Sequence, residues 1–369
     1  MKAPLFIPLV LSAVLSVSCL SAEDGLFQEA IKTAFADNSL LLNLVNTSTG
    51  KLAFGEHGLI VEIDNEHKWQ QHSVPINKTL TASTSFSDGT LLAVGHEGTI
   101  LRKKMGLNWQ VAYTGHQLLT LKKQMFERNI IQLKQHIAST TDEDIIDELS
   151  FRLEDVEYSL NELAAEFITG AVNPFLAIKA IDDNKALVLG AYGTMLFTKD
   201  QGNTWLLIDG VLDNPERFHL NSVVSDSNES VFIFGEAGIA FRSLDLGKNW
   251  QKLNLPYEGS LFGSEVSRDG KFVVAYGLKG NILISTDGGE NWRHIKTTSG
   301  SSLLGSDLDQ QENAWLVGHA GSVVKINKND LSLTTFKHPT GDIFADIIVE
   351  NNDITLVGQN GVVHWAIQP

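Results

Sequence analysis

Apolar residues along this chain fall in short alternating or continuous runs, broken every few residues by polar turns that carry glycine. Runs of that length, rich in β-branched and aromatic residues and bounded by Gly, Asn and Asp, read as strands joined by tight turns. The clearest stretch is Ala275-Tyr-Gly-Leu-Lys-Gly-Asn-Ile-Leu-Ile-Ser-Thr-Asp-Gly-Gly-Glu-Asn-Trp292. It predicts a strand ending at Gly277, a turn closed by Gly280, a strand over Asn281–Ser285, a second turn, and a strand opening at Trp292. The core of this unit, Gly-x-x-Gly followed by an apolar run, occurs seven times, at Gly55/Gly58, Gly95/Gly98, Gly190/Gly193, Gly235/Gly238, Gly277/Gly280, Gly318/Gly321 and Gly358/Gly361. The first glycines are spaced by 40, 95, 45, 42, 41 and 40 residues. One period in the low forties accounts for every step once about fifty residues are set aside as an insertion in the second. Four short strands per period of that length predict an all-β chain, a seven-bladed β-propeller.

Each unit opens on a strand such as Leu40–Val45 or Phe175–Ile181, and its fourth strand often opens on tryptophan (Trp69, Trp109, Trp205, Trp250, Trp292). Between the third and fourth strands sits Ser/Thr-x-Asp-x-Gly-x-x-Trp. Asp200, Gly202 and Trp205 form one good copy, Asp245, Gly247 and Trp250 a second, and Asp287, Gly289 and Trp292 a third. The copies near Asp64 and Lys104 are degraded. An Asp carboxylate there can accept the backbone N–H groups of its own turn, the glycine can take positive φ, and the tryptophan can pack between blades. These residues are therefore expected to be structural and not catalytic. The last unit ends on its third strand, Val362–Ile367. An unpaired edge is a liability, so Leu26–Lys32 is expected to supply the missing strand and close the seventh blade. A helix over Gln28–Phe35 is the alternative.

The insertion has a different period. Residues His116–Ile137 and Asp142–Ile168 lack glycine and proline and carry apolar residues at heptad-like spacing, from Leu119 to Ile137 and from Ile146 to Phe167. Two such stripes joined by a short polar turn predict an antiparallel α-helical hairpin over 116–169, placed between blades two and three. The first helix carries Lys122, Lys123, Arg128 and Lys134; the second carries ten acids between Asp142 and Glu166. The stripes can satisfy each other, which would let the hairpin fold without touching the ring. It is either a docking arm or decoration.

Charge narrows the partners. The 369-residue chain has 28 basic and 44 acidic residues, a net charge of −16. That argues against nucleic acid, which needs cationic side chains to replace counterions on phosphate. It suits a protein that repels its own kind, so a monomer is expected. Residues 1–22 read as a signal peptide: Lys2, an apolar run over Leu5–Val17, and small residues Ser21-Ala22 before Glu23. The run is too short to span a bilayer. An exported, periplasmic protein is expected, with lipid anchoring at Cys19, the only cysteine, as the alternative.

The Asp-containing turns are the Asp-box of BNR-type repeats. Together with the Gly-x-x-Gly turns they resemble the photosystem II stability and assembly factor family over Leu40 to Gln368, the hairpin apart. Asn173-Pro-Phe-Leu176, Gly190-Ala-Tyr-Gly193, Phe234-Gly-Glu-Ala-Gly238 and Pro256-Tyr-Glu-Gly-Ser-Leu-Phe-Gly263 are similar to its exported bacterial branch, as is the hairpin. The resemblance implies a seven-bladed propeller that assists a membrane complex. For that branch it implies an envelope or membrane protein as partner and a link to an exporter. Photosynthetic members carry an arginine-rich patch, whereas the seven arginines here form no cluster in sequence.

In a propeller, the turns between second and third strands and the blade-to-blade connections share one rim. That rim carries His57, His96, Tyr192, Glu236, Tyr257, Phe262, Lys279 and His319, the candidate binding residues. No cofactor motif and no tight ligand spacing appears, so neither cofactor nor metal is expected. The competing class is an Asp-box glycoside hydrolase of sialidase type, which needs an arginine triad introduced by Phe-Arg-Ile-Pro. Phe241-Arg242-Ser-Leu is the nearest stretch and lacks that form, so no enzyme is expected.

Overall fold

Each Gly-x-x-Gly reverses the chain within three residues. In six of the seven copies a single 3-10 turn links second to third strand, as at Leu278–Gly280, where Lys279 has φ 56° and Gly280 φ 70°. The first glycine of the pair has a different task. Its backbone lies against the residue that leads into the blade's first strand: a Cβ on Gly277 would sit 2.3 Å from the Ser260 carbonyl oxygen, and one on Gly55 2.1 Å from that of Leu40. That same Ser260 carbonyl accepts the Leu278 N–H at 3.1 Å. Only a residue without a side chain lets the two strands come together there.

The computed structural model describes residues 28–366 except 171, 209, 351 and 352. Those residues build seven antiparallel sheets, each in strand order 1-2-3-4 except the last, which has three strands among the described residues. The blades span 41–71, 80–113, 175–207, 220–252, 261–296, 303–337 and 344–366. The chain is thus a seven-bladed propeller with an inserted helical hairpin. Second strands such as Val273–Gly277 and Val231–Gly235 are buried along their whole length, as expected of strands covered on both faces. The core is a set of clusters between successive blades. Phe232, Phe234, Val273 and Leu283 form one, and Leu41, Val61, Ile348 and Val357 close the last blade against the first. The first strand of every blade lines a central channel of about 470 Å³.

Residues 28–32 do not form the strand expected at Leu26–Lys32, and residues 26 and 27 lie outside the described ones. Ala30 donates its N–H to the Val74 carbonyl, and Gln71 bridges Ile31 and Thr33 through its side-chain amide. The segment therefore runs along the exit from blade one, and a 3-10 turn at Ala36–Asn38 then packs by Gly361. The helix over Gln28–Phe35 does not form either. Ala36 is fully buried in the cluster between the last and first blades and Ala30 packs against the cluster between blades one and two, whereas Ile31 and Phe35 stay exposed, so the segment packs through its small residues instead of pairing as a strand.

The insertion is two helices, α1 (Gly115–Ser139) and α2 (Glu143–Thr169). Thr114 and Gln117 form a capping box at the start of α1; Asp142 caps α2, and Gly170 ends it in the left-handed conformation. Leu119, Phe126 and Leu163 are buried between the helices, and Lys134 meets Glu157 at 2.8 Å. The hairpin is not independent of the ring, as mutual satisfaction of its stripes had implied. Leu118 is buried in the core between blades two and three, with Leu121 and Val172 against it, and buried Lys122 donates to Thr194 Oγ1 at 3.0 Å. The first turns of α1 face blade as well as α2, and a heptad pattern does not reveal that second partner. No helix among the described residues is long and apolar enough to cross a membrane.

Candidate functional site

The rim turns project one residue each from a left-handed backbone: His57, Glu97, Tyr192, Ala237, Lys279 and Ala320. His57, His96, Tyr192, Lys279 and His319 are exposed there as expected, each on its own blade. The rim histidines do not converge, because successive blades separate them. Glutamates in the first turn position reach back to the preceding strand: Glu56 Oε1 accepts the Leu40 N–H at 3.1 Å, and Glu236 Oε2 accepts the His219 N–H at 3.2 Å. Glu236 thus has a structural bond to make before any ligand.

One group of rim side chains does come together. The Tyr192 N–H donates to His219 Nδ1 at 3.1 Å, the two rings lie 4.8 Å apart, and His219 Nε2 faces Glu236 at 3.8 Å. Accepting at Nδ1 leaves Nε2 as the protonated nitrogen of a neutral imidazole, pointed at the carboxylate. Tyr192 stays 54 % exposed above this support. Sequence reasoning missed His219; it occupies the residue just before the first strand of blade four, a rim position that the repeat period marks. Tyr257 is held more firmly than an exposed anchor would be. Its hydroxyl accepts from Asn281 Nδ2 at 3.2 Å, and its ring lies 5.2 Å from that of His294. Phe262 is not on the rim: it belongs to the strand Leu261–Val266 and lines the channel.

The hairpin stands on this rim. The first turns of α1 touch the turn at His96–Gly98, and Lys122 reaches Thr194 beside the Tyr192 turn. Farther out, α2 leaves Phe151 75 % and Tyr158 65 % exposed, two turns apart on one face. Asp147, Glu148, Glu154, Asp155 and Glu162 surround them in sequence. Exposed aromatics of this size on one helix face mark a surface that burial would stabilise.

The channel wall holds a second polar group. Glu265 accepts from Ser306 at 2.7 Å, which accepts in turn from the Tyr276 hydroxyl at 2.7 Å. Asp307 Oδ2 accepts the Val349 N–H, and Asp346 Oδ2 accepts from Asn43 and from the Leu44 N–H. Burial, then repulsion from Glu265, pushes Asp307 up to about 8; burial, resisted by its backbone bonds, pushes Asp346 up to about 7. Each keeps part of its surface on the channel, so burial acts less than in a dry core and mutual repulsion adds to it. Both native values lie above the roughly 3.9 of an unfolded Asp. The native state therefore holds protons that the unfolded state has released, and stability falls as pH rises through about 7 to 8. The expected result is a melting temperature lower at pH 9 than at pH 6, with a flatter profile in Asp307→Asn. A parent profile that rises across that window contradicts this account of the channel.

The Asp carboxylates of the turns on the opposite face are satisfied within their own turns. Asp287 Oδ1 accepts from Ser285 Oγ and the Asn291 N–H, Oδ2 accepts from Asn291 Nδ2, and Trp292 Nε1 donates to the Gly289 carbonyl. Asp245 repeats the pattern with Ser243 and Asn249, and Asp200 with Thr198 and Thr204. The backbone and side chain of Asn291 hold the Asp287 carboxyl down to about 2, and Asp245 reaches about 2 because its bonds to Asn249 and Ser243 outweigh burial. Asp287→Ala should cost about 1–3 kcal/mol, the cost of leaving such donors unmet. Denaturant titration checks it, and an unchanged midpoint would remove the structural role.

Arg242 of the Phe241-Arg242 stretch is buried beneath the neighbouring turn, donating to the Gly288 carbonyl and pairing with Glu290 at 2.7 Å. Among the described residues, His67, Asp353 and His364 bring three possible ligand atoms within 4.8 Å of one another.

A family model described as photosynthesis system II assembly factor YCF48 matches residues 169–267. Among solved structures, the chain is similar to one titled YCF48 bound to D1 peptide, at 12% identity and TM-score 0.60, covering 95% of this chain and 99% of that one. It is similar to YCF48 from Cyanidioschyzon merolae at 12% identity and TM-score 0.58, covering 92% and 98%. The WD40 propeller domain of Doa1 matches at 11% identity and TM-score 0.58, covering 91% and 94%. No curated protein matches in sequence. The family match and the shared fold make this a propeller that resembles the photosystem II assembly factors.

Proposed function

We propose that the chain is a non-catalytic, exported, protein-binding propeller that acts as a scaffold or assembly factor for a membrane complex of the envelope. The observation that carries the reading is the rim with its hairpin: Tyr192 exposed on a built support, and Phe151 and Tyr158 exposed on α2. Aromatic side chains of this kind serve as anchors at protein interfaces. The structurally similar YCF48 is described with a bound D1 peptide, which supports a peptide segment of a membrane protein as the class of partner. The acidic surround of the α2 aromatics favours a segment with basic residues and an apolar face. The signal-like residues 1–22 support export, and the net charge of −16 supports a monomer that binds no nucleic acid. The burial of Arg242 under a structural turn favours this reading over a sialidase-like hydrolase. The test is chemical crosslinking of the protein to envelope fractions, comparing the parent with Tyr192→Ser and with Phe151→Ser/Tyr158→Ser. Capture of one membrane protein by the parent and its loss in both variants is expected. Equal capture by all three, or turnover of sialoside or β-glycoside substrates by the purified parent, overturns the reading.

A further inference from the structure

Six of the seven blade junctions are made by continuous chain. The junction between the last and first blades is different: among the described residues no strand crosses it, since blade one uses only 41–71 and blade seven only 344–366. It is held by the cluster around Leu41 and Val357, by Asp346 with Asn43 and Leu44, and by Lys51 and Glu350 at 2.7 Å. On the rim side, Ala36–Asn38 packs over it beside Gly361.

On the opposite side, three ligand-bearing residues meet across this seam. Asp353 and His364 lie on neighbouring strands of blade seven. Asp353 pairs with Ala366 and His364 with Thr355, so the two residues are diagonal neighbours on one face of the sheet. His67 comes from the outer turn of blade one, and its ring centroid is 3.9 Å from that of His364. This is the degraded copy of the Asp-containing turn. Asp64 Oδ1 still accepts the N–H groups of Glu66 and Lys68, which fixes the loop, and His67 has φ 62°. A non-glycine residue in the left-handed region carries a strain of order 1 kcal/mol or more, and such strain gathers at functional positions.

We propose that His67, Asp353 and His364 bind a divalent transition-metal ion of the zinc class, and that this ion clasps the last blade to the first. Two imidazole nitrogens and one carboxylate oxygen are a ligand set suited to zinc, with a fourth position left for water. The ligand atoms must draw in from their present spread to bonds near 2 Å; the exposed His67 ring is free to turn toward the strand pair. The gain in stability follows from topology. The clasp joins residue 67 to residues 353 and 364, and a link that closes so long a loop is the kind that constrains an unfolded chain most. Its ligands also come from both sides of the junction that, among the described residues, no strand crosses.

The test uses full-length protein without a histidine tag, stripped with chelator and titrated calorimetrically with zinc at pH 7.5. Saturable binding of one ion per chain is expected, with a rise in melting temperature on saturation that chelator reverses. His67→Asn keeps a residue tolerant of the left-handed conformation, and His364→Gln keeps a polar strand residue. Each should weaken zinc binding at least tenfold and remove the melting shift, while leaving the metal-free melting temperature near that of the parent. No saturable binding by the parent, or the same affinity in the His67→Asn/His364→Gln double variant, overturns the site and assigns any zinc uptake to the other histidines.

Discussion

Gly277→Ala should destabilise the ring by about 3 kcal/mol or more, a larger loss than any single Asp turn can produce. Gly277 has φ −179°, so no positive-φ penalty enters. The difficulty is the space. A Cβ would come to 2.3 Å from the Ser260 oxygen, 2.8 Å from the Leu261 Cα and 3.0 Å from the Phe262 nitrogen, all backbone atoms. A flexible side chain could swing aside; a strand in a closed sheet cannot. Moving it would also break the Leu278 N–H bond to Ser260 and shift Phe262 into the channel. The change at Gly300, where φ is 63° and a Cβ meets nothing within 4 Å, measures the cost of a positive φ alone, against which the steric cost at Gly277 is compared. Equilibrium unfolding of Gly277→Ala and Gly300→Ala checks this. A Gly277→Ala protein as stable as the parent would mean that the repeated glycine is not set by strand contact.

Leu118→Ala should cost about 2–5 kcal/mol, the range for removing a buried leucine from a packed core. Leu118 is 1 % exposed and sits with Phe175, Tyr113 and Trp205 between blades two and three, so the loss would fall on the ring and not on the hairpin alone. Lys122 and Val172 hold the same base. Among the described residues, no core cluster and no side-chain hydrogen bond joins residues 130–155 to the ring. Replacing residues 130–155 with a short Gly/Ser linker should leave the melting temperature of the propeller nearly unchanged. A loop-out beginning at Leu118 would instead open the core between the two blades. Thermal melting of Leu118→Ala and of the distal loop-out separates the cases. If the first is neutral and the second unfolds the ring, the assignment of base and arm is reversed.

Much of this architecture could be read from glycine spacing, because each Gly-x-x-Gly answers to a local demand repeated seven times. Turn chemistry at Asp200, Asp245 and Asp287 was equally legible, since all the partners lie within four residues. The hairpin was legible as two helices, but Leu118 and Lys122 gave no sign of facing the ring: a heptad stripe does not show which partner covers it. The N-terminal segment misled for a related reason. Pairing an edge and packing into a blade junction ask for the same apolar residues, and Ala30 and Ala36 serve the second. The rim was found as a surface but not as a site. Tyr192 was visible in its turn, whereas its support from His219 depends on two blades meeting. Phe262 was placed on the rim, although it sits at an irregularity in the first strand of its blade, between Leu261 and Gly263, and lines the channel. His67 lies nearly three hundred residues from Asp353 and His364, and only closure of the ring brings it to them.

Under the proposed function, the partner docks on the rim that carries Tyr192 and the hairpin. A photoreactive phenylalanine analogue can replace Tyr192 with little change in ring size, and the same analogue at Asn203 samples an exposed turn on the opposite face. After irradiation of intact cells, the account predicts a crosslinked membrane protein from position 192, lost when Phe151 and Tyr158 are also changed to serine, and none from position 203. The same adduct from position 203, or none from position 192, would contradict it.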